Sequence, residues 1–140
     1  MTRRSRARQV ALQLLFQLDH NPDVPREDVE RFVNDRLADA ESRPFALALY
    51  EGAVAHLREI DRELARAAEN WKLKRMAAVD RNVLRLGLCE AAFLEQPTPR
   101  AVALDEAIEL ARQFGSKDSP SFVNGVLDKA VPRKEPSDGE

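Results

Sequence analysis

Pro44-Phe-Ala-Leu-Ala-Leu-Tyr-Glu-Gly-Ala-Val-Ala-His-Leu-Arg-Glu-Ile-Asp-Arg-Glu-Leu-Ala-Arg-Ala-Ala-Glu-Asn-Trp71 sets the architecture. Within it Ala46, Tyr50, Ala53, Leu57, Ile60, Leu64, Ala67 and Trp71 recur at alternating spacings of four and three. Residues so spaced share one face of an α-helix. Pro44 suits a first helical turn. One long helix is predicted from Pro44, ending in a bend over Asn70 to Arg75. Such a seam is far more often the core side of a bundle than a coiled-coil dimer.

The same period extends in both directions. Upstream, Ala7, Ala11, Leu14 and Leu18 predict a helix from Arg4 to Leu18, ended by Asn21-Pro22-Asp23. Val29, Phe32, Val33, Leu37 and Ala40 predict a second, starting near Pro25 with Glu27 and Asp28 in its first turn. Downstream, Met76, Val79, Val83, Leu86 and Phe93 mark a stretch from Met76 to Leu94, before the break at Pro97-Thr98-Pro99. Leu104, Ala107, Ile108, Ala111 and Phe114 form the inner face of a helix over Val102 to Phe114, with Gly115 as C-cap. Ser119-Pro120 reads as an N-cap with Pro at the first helical position. Phe122, Val123, Val126, Leu127 and Ala130 carry the last helix to Pro132. The polar tail over 133–140 is expected to be disordered.

Composition agrees with an all-α protein. The chain has 140 residues, 44% hydrophobic and 33% charged, with only 5 glycines, which is a globular balance rich in helix formers. Its formal net charge of −2 means that affinity for a polyanion must come from local clustering. The single cysteine, Cys89, excludes an internal disulfide and reads as a small core residue. His20 and His56 are far apart, so no zinc spacing exists. No apolar run reaches membrane-spanning length. A cytoplasmic protein is expected. The N-terminal run is interrupted by Gln13 and Gln17 and lacks a small-residue cleavage site, so it reads as an amphipathic helix, with a mitochondrial presequence as the remaining look-alike. No glycine-rich phosphate loop, paired carboxylates or nucleophilic triad is visible, which argues against an enzyme and against any cofactor.

Three features suggest a ligand. Arg3, Arg4, Arg6 and Arg8 precede the first acid, Asp19, and sit at a helix start where the dipole disfavours cations. A bound polyanion would offset that cost, although a solubilising terminus explains the arm equally well. Phe16 lies roughly 160° from the α-helical core stripe, at roughly 100° per residue. Arg6, Gln9 and Gln13 project with it, which suits base stacking, phosphate pairing and base-edge hydrogen bonds. A second helix covering Phe16 is the slightly favoured alternative. Lastly, the helix start around Ser121 and Phe122 offers free N–H groups with Lys117 nearby and Asp118 opposing an anion. By itself that segment is better read as an ordinary capped turn.

Arg3-Arg-Ser-Arg-Ala-Arg-Gln-Val-Ala-Leu-Gln-Leu-Leu-Phe16, Val79-Asp-Arg-Asn-Val-Leu-Arg-Leu-Gly-Leu-Cys-Glu90, Ala103-Leu-Asp-Glu-Ala-Ile-Glu-Leu-Ala-Arg-Gln-Phe-Gly115 and Phe122-Val-Asn-Gly-Val-Leu-Asp-Lys129 together resemble the NusB family of transcription antitermination factors. The matches cover nearly the whole chain in order. The resemblance implies a single all-α domain over 1–132, built of two small helical bundles side by side, about 4–70 and 72–132, with six to seven helices. It implies boxA-type single-stranded RNA of nascent rRNA leaders as ligand. The small-subunit ribosomal protein NusE would be its partner, within the RNA polymerase antitermination complex. Carried over by position, Arg3, Arg4, Arg6, Arg8, Phe16, Lys117, Asp118 and Phe122 would face RNA, and Asp80 the protein partner. Gln13 is added here as a reader of bases. Phe16 stands where tyrosine is common, which keeps stacking but loses a phenolic hydrogen bond. Cys89 replaces a usual aromatic, and Pro120 stiffens the last helix start.

Two other readings remain open on sequence alone. The same domain resembles the N-terminal part of certain RNA cytosine methyltransferases, but no methyl-donor domain is visible here. A pure protein-interaction adapter would bind a partner without RNA. Monomer and homodimer are both open.

Overall fold

The N-terminal helix α1 (Arg3–His20) buries Ala7, Val10, Ala11, Leu12, Leu14 and Leu15. Thr2 caps it, its hydroxyl accepting from the Ser5 N–H at 3.0 Å. The computed structural model describes residues 2–69 and 71–133. The expected disordered tail lies outside the described residues except for Arg133, as does Asn70. Among the described residues there are seven α-helices and no strand. The remaining six are α2 (Arg26–Arg36), α3 (Arg43–Ala55), α4 (Leu57–Ala68), α5 (Ala78–Leu88), α6 (Arg100–Phe114) and α7 (Ser119–Ala130). The all-α class read from the sequence is therefore observed.

Besides Ala40, which falls beyond the end of α2 at Arg36 and is exposed, the expected elements and faces differ from the observed ones in three places. The helix predicted from Pro44 is interrupted at His56, whose backbone leaves the helical region at φ −113° and ψ 22°. His56 closes α3 with its N–H on the Gly52 carbonyl, and its own carbonyl accepts from Ile60 N–H to start α4. Its ring sits 5.2 Å from that of Phe93. The chain redirects there: α4 packs on α5 and α7. Second, the stretch from Met76 opens late and ends early as regular α-helix, passing at Cys89–Phe93 into a π-turn. Third, Trp71 and Phe114, expected in the core, are 56% and 46% exposed. α4 ends at Glu69, which adopts a left-handed φ of 53°, and this turns Trp71 out of the seam.

α5 is the hub. Asn82 through Glu90 are all buried, and α1, α4, α6 and α7 pack around it. Gly87 permits this, since a Cβ there would meet Leu127 Cδ1 at 2.8 Å and Ala107 Cβ at 3.1 Å. Cys89 is fully buried with its thiol towards the Leu49 carbonyl at 3.7 Å. Burial, aided by the neighbouring Glu90 charge, pushes that thiol up to about 12, so it is an inert core residue.

Two polar contacts fasten α1 antiparallel to this hub. Near the start of α1, Arg8 Nε donates to Glu90 Oε1 at 2.8 Å and Arg8 Nη2 to Glu90 Oε2. Both side chains are almost wholly buried, and Glu106 of α6 approaches Arg8 Nη1 at 3.2 Å. Arg8, expected on the RNA surface, is therefore a core ion-pair residue: the elements carrying Glu90 and Glu106 close over it, and Glu90 neutralises it. At the far end, Asp19 accepts from Arg81, Asn82 and Arg85, and Arg85 also holds Asp61 of α4 through two bonds of 2.9 Å.

Removing one partner of a buried pair strands the other charge. Arg8→Ala is expected to lower stability by about 3–5 kcal/mol in urea unfolding, far more than the surface change Arg4→Ala.

Candidate nucleic-acid interface

α1 is also the helix that carries most of the candidate site, and its exposed face is a polar stripe. Arg6, Gln13 and Gln17 are exposed, Gln9 and Phe16 half-buried. The four arginines of the N-terminal arm have separate fates. Arg3 Nη1 donates to Glu41 at 2.9 Å, with Asp39 3.4 Å from its Nε. The Arg4 guanidinium lies 4.1 Å from the centroid of the Phe45 ring. Arg8 is in the core. Arg6 has no carboxylate partner among the described residues and is the most available for an external anion.

α6 is held alongside α1 by two side-chain bonds. Ser5 Oγ donates to Glu106 Oε1 at 2.9 Å, and Gln9 Nε2 to Gln113 Oε1 at 3.0 Å. Both partners advance along their helices in the same sense, so the α6–α7 turn lies towards the Phe16 end of α1. Phe16 itself packs against the core while keeping part of its ring exposed, which combines the stacking and covering readings.

The α6–α7 turn is tight. The Gly115 N–H donates to the Ala111 carbonyl at 2.9 Å, and a Cβ on Gly115 would come within 2.6 Å of Ser119 Cβ. Glycine is needed here for space, since its φ of −97° is ordinary. Ser119 was expected as a side-chain N-cap of α7. Instead its hydroxyl accepts from the Ser116 N–H at 2.9 Å, and this closes the turn. Lys117 and Asp118 are exposed.

Asp80, Asp118 and Phe122 line one shallow pocket of about 230 Å³, together with Trp71 and Arg75. Trp71 packs edge-on against Phe122, with ring centroids 5.7 Å apart. Asp80 sits in the first turn of α5, and its buried Oδ1 has no hydrogen-bond partner. Tertiary structure therefore brings a residue assigned to the protein partner against two assigned to RNA. Lys117 is on the same turn, whereas Arg3, Arg4 and Arg6 are at the opposite end of α1. Eighteen helical residues separate the two ends by roughly 27 Å. Trp71 and Arg75 were missed by sequence reasoning. The signal for Trp71 was present, since a lone tryptophan beside Lys72 and Lys74 at a helix end is out of place in a core.

The model of the NusB family matches residues 5–132. The chain belongs to the NusB family. The transcription antitermination protein NusB of Solibacter usitatus is 44% identical over 138 residues, 97% of this chain and 92% of that protein. That of Sorangium cellulosum is 44% identical over 130 residues, 92% and 91% of the two chains. Among solved structures, T. maritima NusB superposes with a TM-score of 0.81 at 35% identity, covering 99% of this chain and 96% of that one. A crystal structure of the antitermination factors NusB and NusE in complex with double-stranded RNA gives 0.81 at 27% identity, covering 93% and 96%. NusB proteins are transcription antitermination factors and not enzymes. No described helix is long and apolar enough to cross a membrane.

The Asp19 cluster fixes the Phe16 end of this NusB-family site against α5. Burial pushes the Asp19 carboxyl up, but hydrogen bonds from Asn82 and Arg81 and the charges of Arg81 and Arg85 together outweigh it, and the carboxyl lies below its usual value. An acid depressed in the folded state contributes stability above its unfolded pKa of about 3.9 and loses it as pH falls through the folded value. Because solvent screens part of this cluster, Asp19→Asn is expected to cost about 1 kcal/mol at pH 7. Urea titrations across pH should show the gap from the parent narrowing below about pH 4.

Proposed function

We propose that this chain binds boxA-type single-stranded RNA of nascent rRNA leaders jointly with the NusE ribosomal protein and so suppresses termination by RNA polymerase. The observation that carries the reading is the convergence of Asp80, Asp118 and Phe122 on one pocket at the Phe16 end of α1. RNA laid along the α1 stripe would end beside Asp80, where an acid offers a basic ribosomal protein its contact. One ligand would then bridge two components without a large interface between either pair, and binding would be cooperative.

The roles divide by chemistry. Arg3, Arg4, Arg6 and Lys117 supply phosphate contacts; Arg8 does so only indirectly, by anchoring the helix that carries them. Phe16 and Phe122 offer aromatic faces, and Gln13 reads base edges. The related complex named above holds double-stranded RNA, and a duplex would leave such faces unused. The part of each ring that stays open to solvent is what favours a single strand in this chain. Asp118 repels the backbone and tempers affinity.

The test measures binding of a boxA-type RNA and a scrambled control, with and without NusE, at two salt concentrations. Tighter, sequence-selective binding with NusE present is expected. With about four phosphates neutralised, log affinity should fall with log salt at a slope near −3. Equal, weak binding of both RNAs under all conditions would defeat the reading in favour of a protein-only adapter. Asp118→Asn is expected to strengthen RNA binding several-fold in the same assay, and an unchanged or weaker affinity would remove the α6–α7 turn from the interface.

A further inference from the structure

Asp80 and Arg81 are neighbours near the start of α5, and they serve different sides of it. Asp80 lines the pocket beside Trp71 and Phe122. The Arg81 side chain, 18% exposed, turns towards α1 instead, where its Nη2 donates to Asp19 Oδ2 at 3.1 Å. Its other terminal nitrogen, Nη1, donates to the Leu73 carbonyl at 3.4 Å and to the Met76 carbonyl at 3.5 Å. One guanidinium therefore joins the end of α1 to the connection between α4 and α5.

That connection has little else to hold it. Between Trp71 and Ala77 only Leu73 and Met76 place apolar side chains against the core. Its own backbone bonds are local, from the Arg75 N–H to the Lys72 carbonyl at 2.9 Å and from the Met76 N–H to the Leu73 carbonyl at 3.1 Å. Among the described residues, Arg81 is the only side chain that hydrogen-bonds to this backbone. The connection carries Trp71, Arg75 and Met76, which form one wall of the pocket. At the other end of the link, Asp19 follows Phe16 by about one turn of α1. Asn82 and Arg85 bind the same carboxylate, so Asp19 is a fixed point on α5. A lysine ammonium could pair with Asp19 or cap the connection. The planar fork of arginine, with donors on separate nitrogens, does both at once.

We propose that Arg81 is a positioning residue that couples the two halves of the site, setting the pocket wall of Trp71 and Arg75 against the Phe16 end of α1. The proposal rests on the joint-binding reading above and names the residue through which RNA and NusE assist each other. A strand seated on Phe16 fixes Asp19 and, through Arg81, the connection beside Asp80. NusE seated at Asp80 fixes α1 by the same route. Linkage makes the assistance equal in both directions.

The test uses the full chain with a boxA-type RNA and NusE. The affinity for each ligand is measured alone and with the other saturating, and the ratio of the two is the coupling factor. The factor must come out the same from either ligand. Arg81→Lys keeps the ion pair with Asp19 but has no second terminal nitrogen for the carbonyls. Arg81→Gln keeps a donor for the carbonyls but loses the charge. In both, the affinity for RNA alone and its salt slope are expected to stay close to those of the parent, while the coupling factor falls several-fold. Adding Asp19→Asn to Arg81→Lys should reduce coupling no further than the larger single loss, because both changes break one link. A coupling factor that keeps its parent value in both variants, whatever happens to their stability, makes Arg81 structural only and overturns the proposal. If the parent binds RNA and NusE without any coupling, the proposal falls while RNA binding stands. If the parent binds no RNA with or without NusE, the joint-binding reading falls as well.

Discussion

The buried bond between Arg8 and Glu90 places one obligatory charge pair at the centre of an otherwise apolar bundle. Its two hydrogen bonds connect the start of α1 to the π-turn that follows α5. A slip of either helix by one residue would leave two ions unpaired in the core, so the pair selects a single register where the surrounding leucines and alanines would tolerate several. The π-turn belongs to the same constraint. The Glu90 carbonyl accepts from the Thr98 N–H at 3.0 Å, so the irregular backbone at Cys89–Phe93 is tied down while Glu90 is presented to Arg8.

With the Asp19 cluster at the other end, α1 is fixed to α5 along its length. The consequence for function is mechanical. α1 carries the cationic arm at one end and Phe16 near the other, and α5 carries Asp80. Because the two helices are locked antiparallel, Asp80 is delivered to the Phe16 end, where α7 adds Phe122. The joint binding proposed for this surface needs those elements rigidly spaced, and buried ionic contacts set spacing more strictly than apolar contacts do.

Charge along this sequence has been sorted by burial. Four arginines at the N-terminus look equivalent in one dimension. In three dimensions one neutralises a core glutamate, one is held by Asp39 and Glu41, one rests on Phe45, and Arg6 has neither an acid nor an aromatic ring as partner among the described residues. The net charge of the molecule says little about its affinity for a polyanion, whereas the local arrangement of guanidinium groups says much more.

Periodicity alone determined the helical class, the approximate extent of most helices and the inward face of α1, because helix formation and amphipathicity are local properties of spacing. The four family-like stretches likewise hold most of the residues expected at the site, with Lys117 and Asp118 lying between the last two. Only tertiary structure decided that the long seam breaks at His56, that Trp71 turns outward beyond the left-handed Glu69, and that Arg8 belongs to the core. It alone brought Asp80 against Asp118 and Phe122, and Arg81 between Asp19 and the α4–α5 connection. These facts depend on which residue distant in sequence stands opposite, as Glu90 stands opposite Arg8, and no spacing within a single helix encodes that pairing.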